Sequence, residues 1–429
     1  MGGSQALAPH SVGASEPGHA GGGGAPSTIK DRRGKGMSRG RLAIIGIGEV
    51  PTGIYPERSA WDILYEICIQ AVRDAGIDKN DIEGVITVAP QAQPRLSAEI
   101  SFGKIPEELG LKGCKDVCIC NAGGASTSNC LRLAEQWIHS GLARFVLIPH
   151  VTVHSTIPVP ELISFFATAG MDLQWEYPFG TTYNGVMGLM AQRYMYETGT
   201  TPEEMASVVV ALRKWAALDP NSMFYKKPVT IEDVLSSRMI STPLRKRECN
   251  VLGDGGAAMV VTSPELAGKV TNTPVYKLGE GAVYFSACPI LRDFKAVEKG
   301  WHDSAATALR EAGLTLKDID IWNLYVAYPF AIPMMLEAIG VCERGTAGKF
   351  ILEGHTSPGG KCPVSTIGDA VGRGHTGSGV SMATYVETAR QLMGKAGERQ
   401  VQGARYVFQN TAGGSGMNNI ATVWGRELT

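Results

Sequence analysis

Two stretches of this chain repeat one pattern: the end of a helix, a short polar linker and the start of a strand. The first covers residues 75–86 and the second residues 312–322, so that Ala312 follows Ala75 by 237 positions and Asp318 follows Asp81 by the same distance. Residues 250–261 and 410–423 share a glycine-rich turn that leads into an apolar strand. Similarity at a fixed offset marks duplicated structural units. The chain is therefore predicted to be an internal duplication of a β-α-β unit.

The two predicted halves differ in length because the first carries an insertion. Residues 1–37, rich in Gly, Ser, Ala and Pro, are predicted to be a disordered tail. The N-terminal half is assigned to residues 38–270, with the insertion at about residues 154–247, and the C-terminal half to residues 271–429. The residue pattern predicts a buried strand at 42–48 and helices at 59–75, 183–198, 202–218 and 301–310. Two such halves place a ligand cleft at their junction, where helix N-termini point.

Composition excludes several classes of function. The formal net charge is −1, which gives no electrostatic footprint for nucleic acid. The chain has no apolar run long enough for a transmembrane helix. Its nine cysteines are odd in number and irregularly spaced, which favours reduced thiols in a cytoplasmic protein. Cys118 and Cys120 form a C-x-C without a second pair, so no metal site is expected.

Two glycine-rich turns carry the most informative motifs. Residues 372–379 read Gly-Arg-Gly-His-Thr-Gly-Ser-Gly, and residues 123–126 read Gly-Gly-Ala-Ser. The first resembles the Gly-His-Pro-x-Gly-x-(Ser/Gly)-Gly loop of thiolases, with Thr376 in place of the usual proline. Together with further motifs in the C-terminal half, it makes residues 42–426 similar to the thiolase superfamily, and within it to the sterol-carrier-type thiolases and lipid-transfer aldolases. The resemblance implies an α/β fold with a five-layered α-β-α-β-α core, and a homodimer.

The cysteines that thiolase chemistry requires are missing from the matching positions. Aligning residues 131–134 with the nucleophile helix of the family puts Gly124 where the acyl-accepting cysteine stands, and Ala327 and Thr411 where the other cysteines stand. A thiol is used there because a helix N-terminus and a nearby histidine favour the thiolate. Of that set only His375 is kept. The resemblance therefore implies a thiolase framework that forms no acyl-enzyme.

The segment Tyr-Val-Ala-Tyr at residues 325–328 points to another reaction. Lipid-transfer aldolases resemble this chain in having a tyrosine at the position of Tyr325. A second tyrosine stands in them where this chain has His375, and the pair cleaves a carbon–carbon bond of a β-hydroxyacyl-CoA. A retro-aldol reaction needs an acid and a base but no nucleophile. His375, with an ordinary pKa of about 6.5, is assigned as the base and Tyr325 as the proton donor, with the reverse assignment open.

Three further residues complete the predicted site. Gly124 is expected to leave room for a branched acyl group, and its backbone N–H and that of Gly413 are expected to form an oxyanion hole. Tyr328 is a secondary candidate, because strand alternation places it on the opposite face from Tyr325. Lys361 is read as a solvated lysine rather than a Schiff-base residue. The histidines outside the motif turns are predicted to be ordinary: His139, His150, His154, His302 and His355.

The leading hypothesis is a CoA-thioester aldolase acting on a β-hydroxyacyl-CoA such as a lipid or steroid side chain, with CoA as part of the substrate and no other cofactor. One alternative is a thiolase-type acyltransferase that uses Cys118, Cys120 or Cys130. Another is a non-catalytic acyl-CoA or lipid-binding subunit of a complex. The resemblance also implies a small partner protein with an OB-fold and a zinc ribbon. The acyl group and the direction of the reaction stay open.

Overall fold

A computed structural model describes residues 40–88, 103–168, 172, 174–180, 182–285, 294–377, 379–413 and 418–429. The predicted disordered tail, residues 1–37, lies outside them. The strands are β1 (Leu42–Gly53), β2 (Ile82–Thr87), β3 (Asp116–Ile119), β4 (Phe145–Thr152), β5 (Met239–Ser241), β6 (Leu244–Arg245), β7 (Asp254–Thr262), β8 (Val275–Tyr284), β9 (Ile321–Leu324), β10 (Tyr406–Gly413) and β11 (Asn418–Gly425).

Helices of very different length connect these strands. They are α1 (Ala60–Ala75), α2 (Lys104–Leu109), α3 (Ser126–His139), α4 (Val159–Thr168), α5 (Tyr183–Thr198), α6 (Pro202–Ala217), α7 (Ile231–Leu235), α8 (Pro264–Val270), α9 (Phe294–Ala312), α10 (Ala331–Ile339), α11 (Ala347–Leu352), α12 (Asp369–Gly372) and α13 (Gly379–Leu392). The predicted helices at 59–75, 183–198 and 202–218 are confirmed to within one residue. The helix predicted at 301–310 begins earlier, at Phe294.

Nine strands form one sheet in the order β3-β2-β4-β7-β1-β8-β11-β10-β9. The first five in that order come from the N-terminal half of the chain and the last four from the C-terminal half. The two groups join where β1 pairs antiparallel with β8 over three residue pairs, Leu42 with Lys277 to Ile44 with Val275. The small hairpin of β5 and β6 lies in the insertion.

The core is built in five layers. Helix α1 packs on the outer face of the N-terminal strands, and α9 packs on β8 and β11 at the other side of the molecule. Between the two groups of strands lie α3, which packs on β2, β4 and β7, and α13, which packs on β7, β1 and β10 and on α3 itself. The predicted α-β-α-β-α arrangement is therefore confirmed, and the N-termini of α3 and α13 meet in its central layer.

The duplication is visible in how each outer helix packs. A Cβ atom on Gly46 of β1 would lie 2.3 Å from the Ala71 carbonyl oxygen in α1, and one on Gly279 of β8 would lie 2.1 Å from the Ala308 carbonyl oxygen in α9. Only glycine lets a strand and a helix backbone approach this closely. Because Ala308 follows Ala71 by the same interval as the sequence repeat, both halves use one packing solution.

The repeated linkers start and stop in the same way. Gly76 ends α1 with a φ of 68°, and the Asp78 side chain caps the 3-10 turn that follows at residues 79–81. After α9, Gly313 has the same φ of 68°, and Thr315 forms a capping box with Asp318. Left-handed backbone at a helix end favours glycine. These local signals explain why the sequence pattern located the repeat.

Candidate functional site

A cavity of about 860 Å³ opens where the two halves meet. Its wall includes the turn before α3 (residues 121–124), the segment after β9 (residues 325–328) and the loop before α13, with His375 and Gly377. Apolar side chains of the insertion and of α9 and α10 form much of the rest, among them Leu162, Phe166, Met187, Trp301 and Met335. A mainly apolar pocket with a few convergent polar groups is the usual form of a small-molecule site.

Tyr325 and His375 face each other in this cavity. The Tyr325 hydroxyl lies 3.4 Å from His375 Nε2, and both residues are buried. Tyr325 follows the last residue of β9, and its N–H donates to the Asn410 carbonyl of β10 at 3.1 Å. His375 stands on the loop between α12 and α13. The structure thus brings together the two residues that the sequence singled out, although they are 50 positions apart.

The surroundings of His375 define the state of its ring. The Gly377 N–H donates to His375 Nδ1 at 3.2 Å, so in this arrangement the neutral ring carries its proton on Nε2. Burial lowers the pKa of His375 to about 3, with a smaller contribution from the neighbouring His154. His375 is therefore neutral near pH 7, and its Nε2–H points at the Tyr325 oxygen.

The Tyr325 phenol is held in its neutral form. Burial raises its pKa, and the nearby Asp369 and Tyr183 raise it further. The ring packs against Ala370 and Val380. A neutral phenol can donate its proton and can take up another only as its own proton leaves, so this hydroxyl can relay protons to and from a ligand in the cavity.

Gly124 does not leave free space. A Cβ atom on Gly124 would lie 2.4 Å from Tyr325 Cε1 and 2.3 Å from the Ala412 carbonyl oxygen. The prediction that Gly124 makes room for a branched acyl group is therefore wrong, because the Tyr325 ring fills that room. Gly124 is required for Tyr325 to take its position.

The backbone N–H of Gly413 is already in use. It donates to Asn418 Oδ1 at 2.7 Å, at the start of the β10–β11 pairing. Gly413 itself is not part of the cavity wall, whereas Asn418 and Ala412 are. The prediction that Gly413 supplies an oxyanion-hole donor is thus contradicted by this bond. Thr411, two residues earlier in β10, bonds to Ser128 of α3.

Tyr328 lines the same cavity as Tyr325. The prediction from strand alternation placed it on the opposite face, and this was wrong because β9 ends at Leu324, before either tyrosine. Its hydroxyl donates to Asn184 Oδ1 of the insertion, and its ring lies 5.8 Å from that of Tyr183. Burial raises its pKa. Tyr328 therefore connects the insertion to the cavity wall.

Two residues near the pair were missed by the sequence reasoning. His154, which was predicted to be ordinary, is buried beside the His375 loop, and burial lowers its pKa to about 4. The Phe166 ring lies edge-on between the two histidines, 6.2 Å from His154 and 6.3 Å from His375. Both residues lie at the start of the insertion. No motif marks them, because the contact depends on how the insertion folds back.

A buried ion network anchors the loop that carries His375. Arg373, two residues before the histidine, pairs with Glu49 of β1 at 2.6 Å and with Asp219, which follows α6, at 2.7 Å. Arg399 joins Asp219 to Glu387 of α13. Although burial raises the pKa of Glu49, the charges of Arg373 and Arg390 hold it below its ordinary value. These charges fix the loop to both halves and to the insertion.

The three cysteines near the α3 turn lie outside the cavity wall. Cys130 is fully buried in α3, and Cys118 and Cys120 are partly buried. A hydrogen bond from the Cys130 thiol lowers the pKa of Cys120 to about 7, whereas the pKa values of Cys118 and Cys130 are raised. Lys361, the one lysine weighed as a Schiff-base residue, lies over the Phe350 ring.

The described ranges contain no group of three or more His, Cys, Asp or Glu side chains arranged to hold a metal ion. Among the helices that the structure describes, none combines the length and the apolar character needed to cross a membrane.

Comparison with known proteins identifies the family of this chain. Residues 290–426 match the family described as thiolase C-terminal domain-like. An acetyl-CoA acetyltransferase of Methanothermobacter thermautotrophicus is 30% identical over 391 residues, which cover 90% of this chain and 99% of that protein. The chain belongs to the thiolase superfamily.

Other relatives place the chain in a branch of this superfamily. A steroid side-chain-cleaving aldolase of Thermomonospora curvata is 28% identical, over 78% of this chain and 87% of that protein. The solved structure of the Ltp2-ChsH2(DUF35) aldolase has a TM-score of 0.75 and 26% identity, and the match covers 91% of this chain and 98% of the other. The chain therefore falls in the branch of sterol-carrier-type thiolases and aldolases, and the acetyltransferase and aldolase relatives named above are enzymes.

Proposed function

We propose that this thiolase-fold enzyme is a carbon–carbon lyase that cleaves a β-hydroxyacyl-CoA by a retro-aldol reaction. The observation that carries the proposal is the mutual placement of Tyr325, His375 and Gly124. Two proton-transfer groups meet in the cavity at 3.4 Å, and the phenol ring of one of them excludes any side chain at position 124. A tyrosine in this place and an acyl-accepting cysteine at position 124 are incompatible.

The proposed reaction needs only proton movements on the protein. The β-hydroxyl proton leaves to a base, its oxygen becomes the carbonyl of a ketone or aldehyde, and the carbon–carbon bond breaks. The bonding electrons pass to the thioester enolate, whose α-carbon then takes a proton. No acyl group is transferred to the protein, so no nucleophile is required.

The hydrogen bonds favour Tyr325 as the residue that exchanges protons with the substrate. Because His375 Nδ1 accepts from Gly377, its Nε2–H is available to stabilise negative charge on the Tyr325 oxygen. This differs from the assignment expected from ordinary pKa values, in which His375 was the base and Tyr325 only the proton donor. In the proposed cycle, the Tyr325 hydroxyl gives its proton to the α-carbon as the carbon–carbon bond breaks, and its oxygen takes the β-hydroxyl proton in the same step. The phenol is thus neutral again at the end, and the His375 Nε2–H stabilises the negative charge that develops on its oxygen in between.

The cavity suits a CoA thioester with a bulky acyl group. Its wall is apolar on the sides formed by α9, α10 and the insertion, and the exposed cations Arg238 and Lys246 stand at another part of its lining. Cationic side chains suit the phosphates of CoA. We therefore propose an acyl-CoA substrate in which the apolar acyl group reaches inward. CoA enters as part of the substrate, and we propose no other cofactor.

A thiolase-type acyltransferase is the second candidate. It is favoured by the resemblance to an acetyl-CoA acetyltransferase and by the lowered pKa of Cys120, which comes directly before the cavity turn. Against it, Cys118, Cys120 and Cys130 do not line the cavity. The aldolase proposal is the stronger one because its two groups face the ligand space.

Two assembly properties complete the proposal. The name of the Ltp2-ChsH2(DUF35) aldolase joins two proteins, and we propose that this chain likewise works with a small OB-fold, zinc-ribbon partner, as well as forming a homodimer. We also propose a cytoplasmic location, because the eight cysteines of the described ranges are free thiols, which fits a reducing compartment.

Incubation with a β-hydroxyacyl-CoA tests the proposed function. We expect mass spectrometry to find a shortened acyl-CoA together with a ketone or aldehyde, and intact-mass analysis to find no acyl adduct on the protein. Iodoacetamide treatment should leave turnover largely intact. A stoichiometric acyl adduct on Cys118, Cys120 or Cys130 would instead establish the acyltransferase.

A further inference from the structure

Asp369 is a fully buried acid that lies outside every motif described above. It is the first residue of α12, and its φ of 47° places it in the left-handed region, which few residues other than glycine adopt. Gly368 before it has a φ of 83°. An aspartate kept in this backbone position, inside the protein and beside Tyr325, calls for a physical reason.

Asp369 contacts both the segment that carries Tyr325 and the loop that carries His375. Its Oδ2 accepts the Val326 N–H at 2.7 Å, directly after Tyr325. Its backbone carbonyl accepts the Arg373 N–H at 2.7 Å, two residues before His375. One residue therefore holds the segment that carries the phenol and begins the turn that carries the imidazole.

The charge of Asp369 is not balanced by a cation. Its Oδ1 has no hydrogen-bond partner within the described residues, and no ion pair to it is found there. The Arg373 guanidinium is engaged by Glu49 and Asp219. On α6, against which α12 packs, Arg213 stacks on the Phe224 ring at 3.7 Å and donates to the Lys227 carbonyl.

The other titratable groups near Asp369 are neutral at pH 7. These are Tyr325, on which Asp369 acts electrostatically, and His375 on the loop that follows α12. A buried carboxylate without a cation is costly, so the protonated form is favoured. Burial accordingly raises the pKa of Asp369 to about 8, with the Val326 and Ala370 N–H groups acting in the opposite sense.

We infer that Asp369 is a positioning residue for the Tyr325–His375 pair and that it does this as a neutral carboxylic acid. The inference rests on the proposed function, since it concerns proton transfer by Tyr325. The carbonyl-type oxygen of the neutral acid holds the backbone after Tyr325. An ionised Asp369 would oppose the negative charge that develops on the Tyr325 oxygen when its proton leaves. The site is therefore competent only while Asp369 stays protonated.

Two variants separate the hydrogen bond that Asp369 accepts from Val326 from the charge of its carboxyl group. Asp369→Asn keeps an oxygen acceptor for the Val326 N–H and is neutral at every pH, whereas Asp369→Ala removes the acceptor. We expect kcat of the wild type to fall as pH rises through about 8. Asp369→Asn should turn over like the wild type at pH 7 and lack this fall. Asp369→Ala should lose roughly 10²-fold in kcat with little change in KM, because the phenol is displaced.

The matched control is Asp320→Asn. Asp320 also accepts backbone N–H groups, from Arg405 and Tyr406, but it lies before the other end of β9. Its replacement should leave both kcat and the pH profile unchanged. Equal loss in Asp369→Asn and Asp369→Ala would overturn the inference, and so would full activity of Asp369→Ala or identical pH profiles of Asp369→Asn and the wild type.

A measurement without turnover separates this inference from the proposed function. The pKa of Asp369 is higher in the folded than in the unfolded chain, so between pH about 4 and about 8 only the unfolded chain is ionised at this group. As pH rises through this window, the free energy of unfolding of the wild type should therefore fall relative to that of Asp369→Asn. Urea unfolding at several pH values can measure this. If no thioester is cleaved but this trend is found, the neutral acid stands and the proposed reaction fails. If the difference in unfolding free energy between the wild type and Asp369→Asn does not change with pH, Asp369 is not a neutral acid in the folded protein.

Discussion

At the scale of single residues, the site depends on which side chains can share one small volume. The Tyr325 ring occupies the place that any side chain at position 124 would need, so Gly124 and Tyr325 must occur together. His375 then stands 3.4 Å from the phenol oxygen and presents a donor to it. This coupling explains why a thiolase framework with Tyr325 in this position has no cysteine at position 124.

The proposed roles predict the effect of two conservative changes. Tyr325→Phe removes the hydroxyl but keeps the ring that packs, and His375→Ala removes the donor. Each should lower kcat by roughly 10²–10⁴-fold, the usual scale for losing an acid or base, with little change in KM. Steady-state kinetics on a β-hydroxyacyl-CoA measures this. Full turnover in both variants would show that the assignment of the pair is wrong even though the fold is right.

The contact between positions 124 and 325 predicts non-additive mutations. Gly124→Ala should destabilise the protein by roughly 1–3 kcal/mol, because its Cβ meets the Tyr325 ring. In a Tyr325→Ala background, part of this cost should disappear, giving a coupling energy above about 0.5 kcal/mol in a double-mutant cycle from urea unfolding. Strict additivity of the two changes would contradict the contact.

Part of the site could be predicted from the sequence at this scale. The motif loop marked His375, and the segment after β9 marked Tyr325. The use of the Gly413 N–H by Asn418, and the approach of His154 and Phe166, could not be predicted. These depend on the pairing of β10 with β11 and on the path of the insertion, which no local pattern encodes.

At the scale of secondary-structure elements, buried ion pairs hold the loop that carries His375 in place. The loop between α12 and α13 is tied through Arg373 to β1 and to the end of α6. The sequence predicted several of the longer helices, among them α1 and α6, and a capping box lies at the N-terminus of each of these two. It did not predict this network, since its members are far apart in the chain and each alone resembles a surface residue.

Removing one cation from the network should therefore be costly. Arg373→Met leaves Glu49 and Asp219 without their shared partner and should lower the free energy of unfolding by roughly 3–5 kcal/mol. As a control, Lys349→Met breaks the exposed pair between Lys349 of α11 and Glu353, which follows that helix, and the loss of unfolding free energy should stay below about 1 kcal/mol. Chemical denaturation of both variants measures the contrast. Comparable losses in the two would contradict the role of the buried network.

At the scale of the whole molecule, the internal repeat explains why the fold was the most predictable property. Two related halves enclose α3 and α13, and the N-termini of these two helices bring both glycine-rich turns to one cavity. The acyl group that fills the cavity was not predictable, because its walls come from the insertion and from α9 and α10, which the repeat does not determine.

The edge of the sheet predicts the oligomeric state. Strand β3 ends the sheet order and, within the described part of the chain, pairs on one side only, with β2. Open edges favour pairing with another chain. We expect a homodimer, observed by light scattering at micromolar concentration. A uniform monomer of about the 45.6 kDa chain mass would contradict this prediction.

The consumption of free CoA during turnover tests the central claim most directly. Thiolysis uses one CoA for each carbon–carbon bond cleaved, whereas retro-aldol cleavage uses none. With a β-hydroxyacyl-CoA as substrate, we predict that the amount of free thiol stays constant while a shortened acyl-CoA and a ketone or aldehyde form in equal amounts, and that added CoA does not raise the rate. Stoichiometric loss of free CoA with each product molecule would contradict the account.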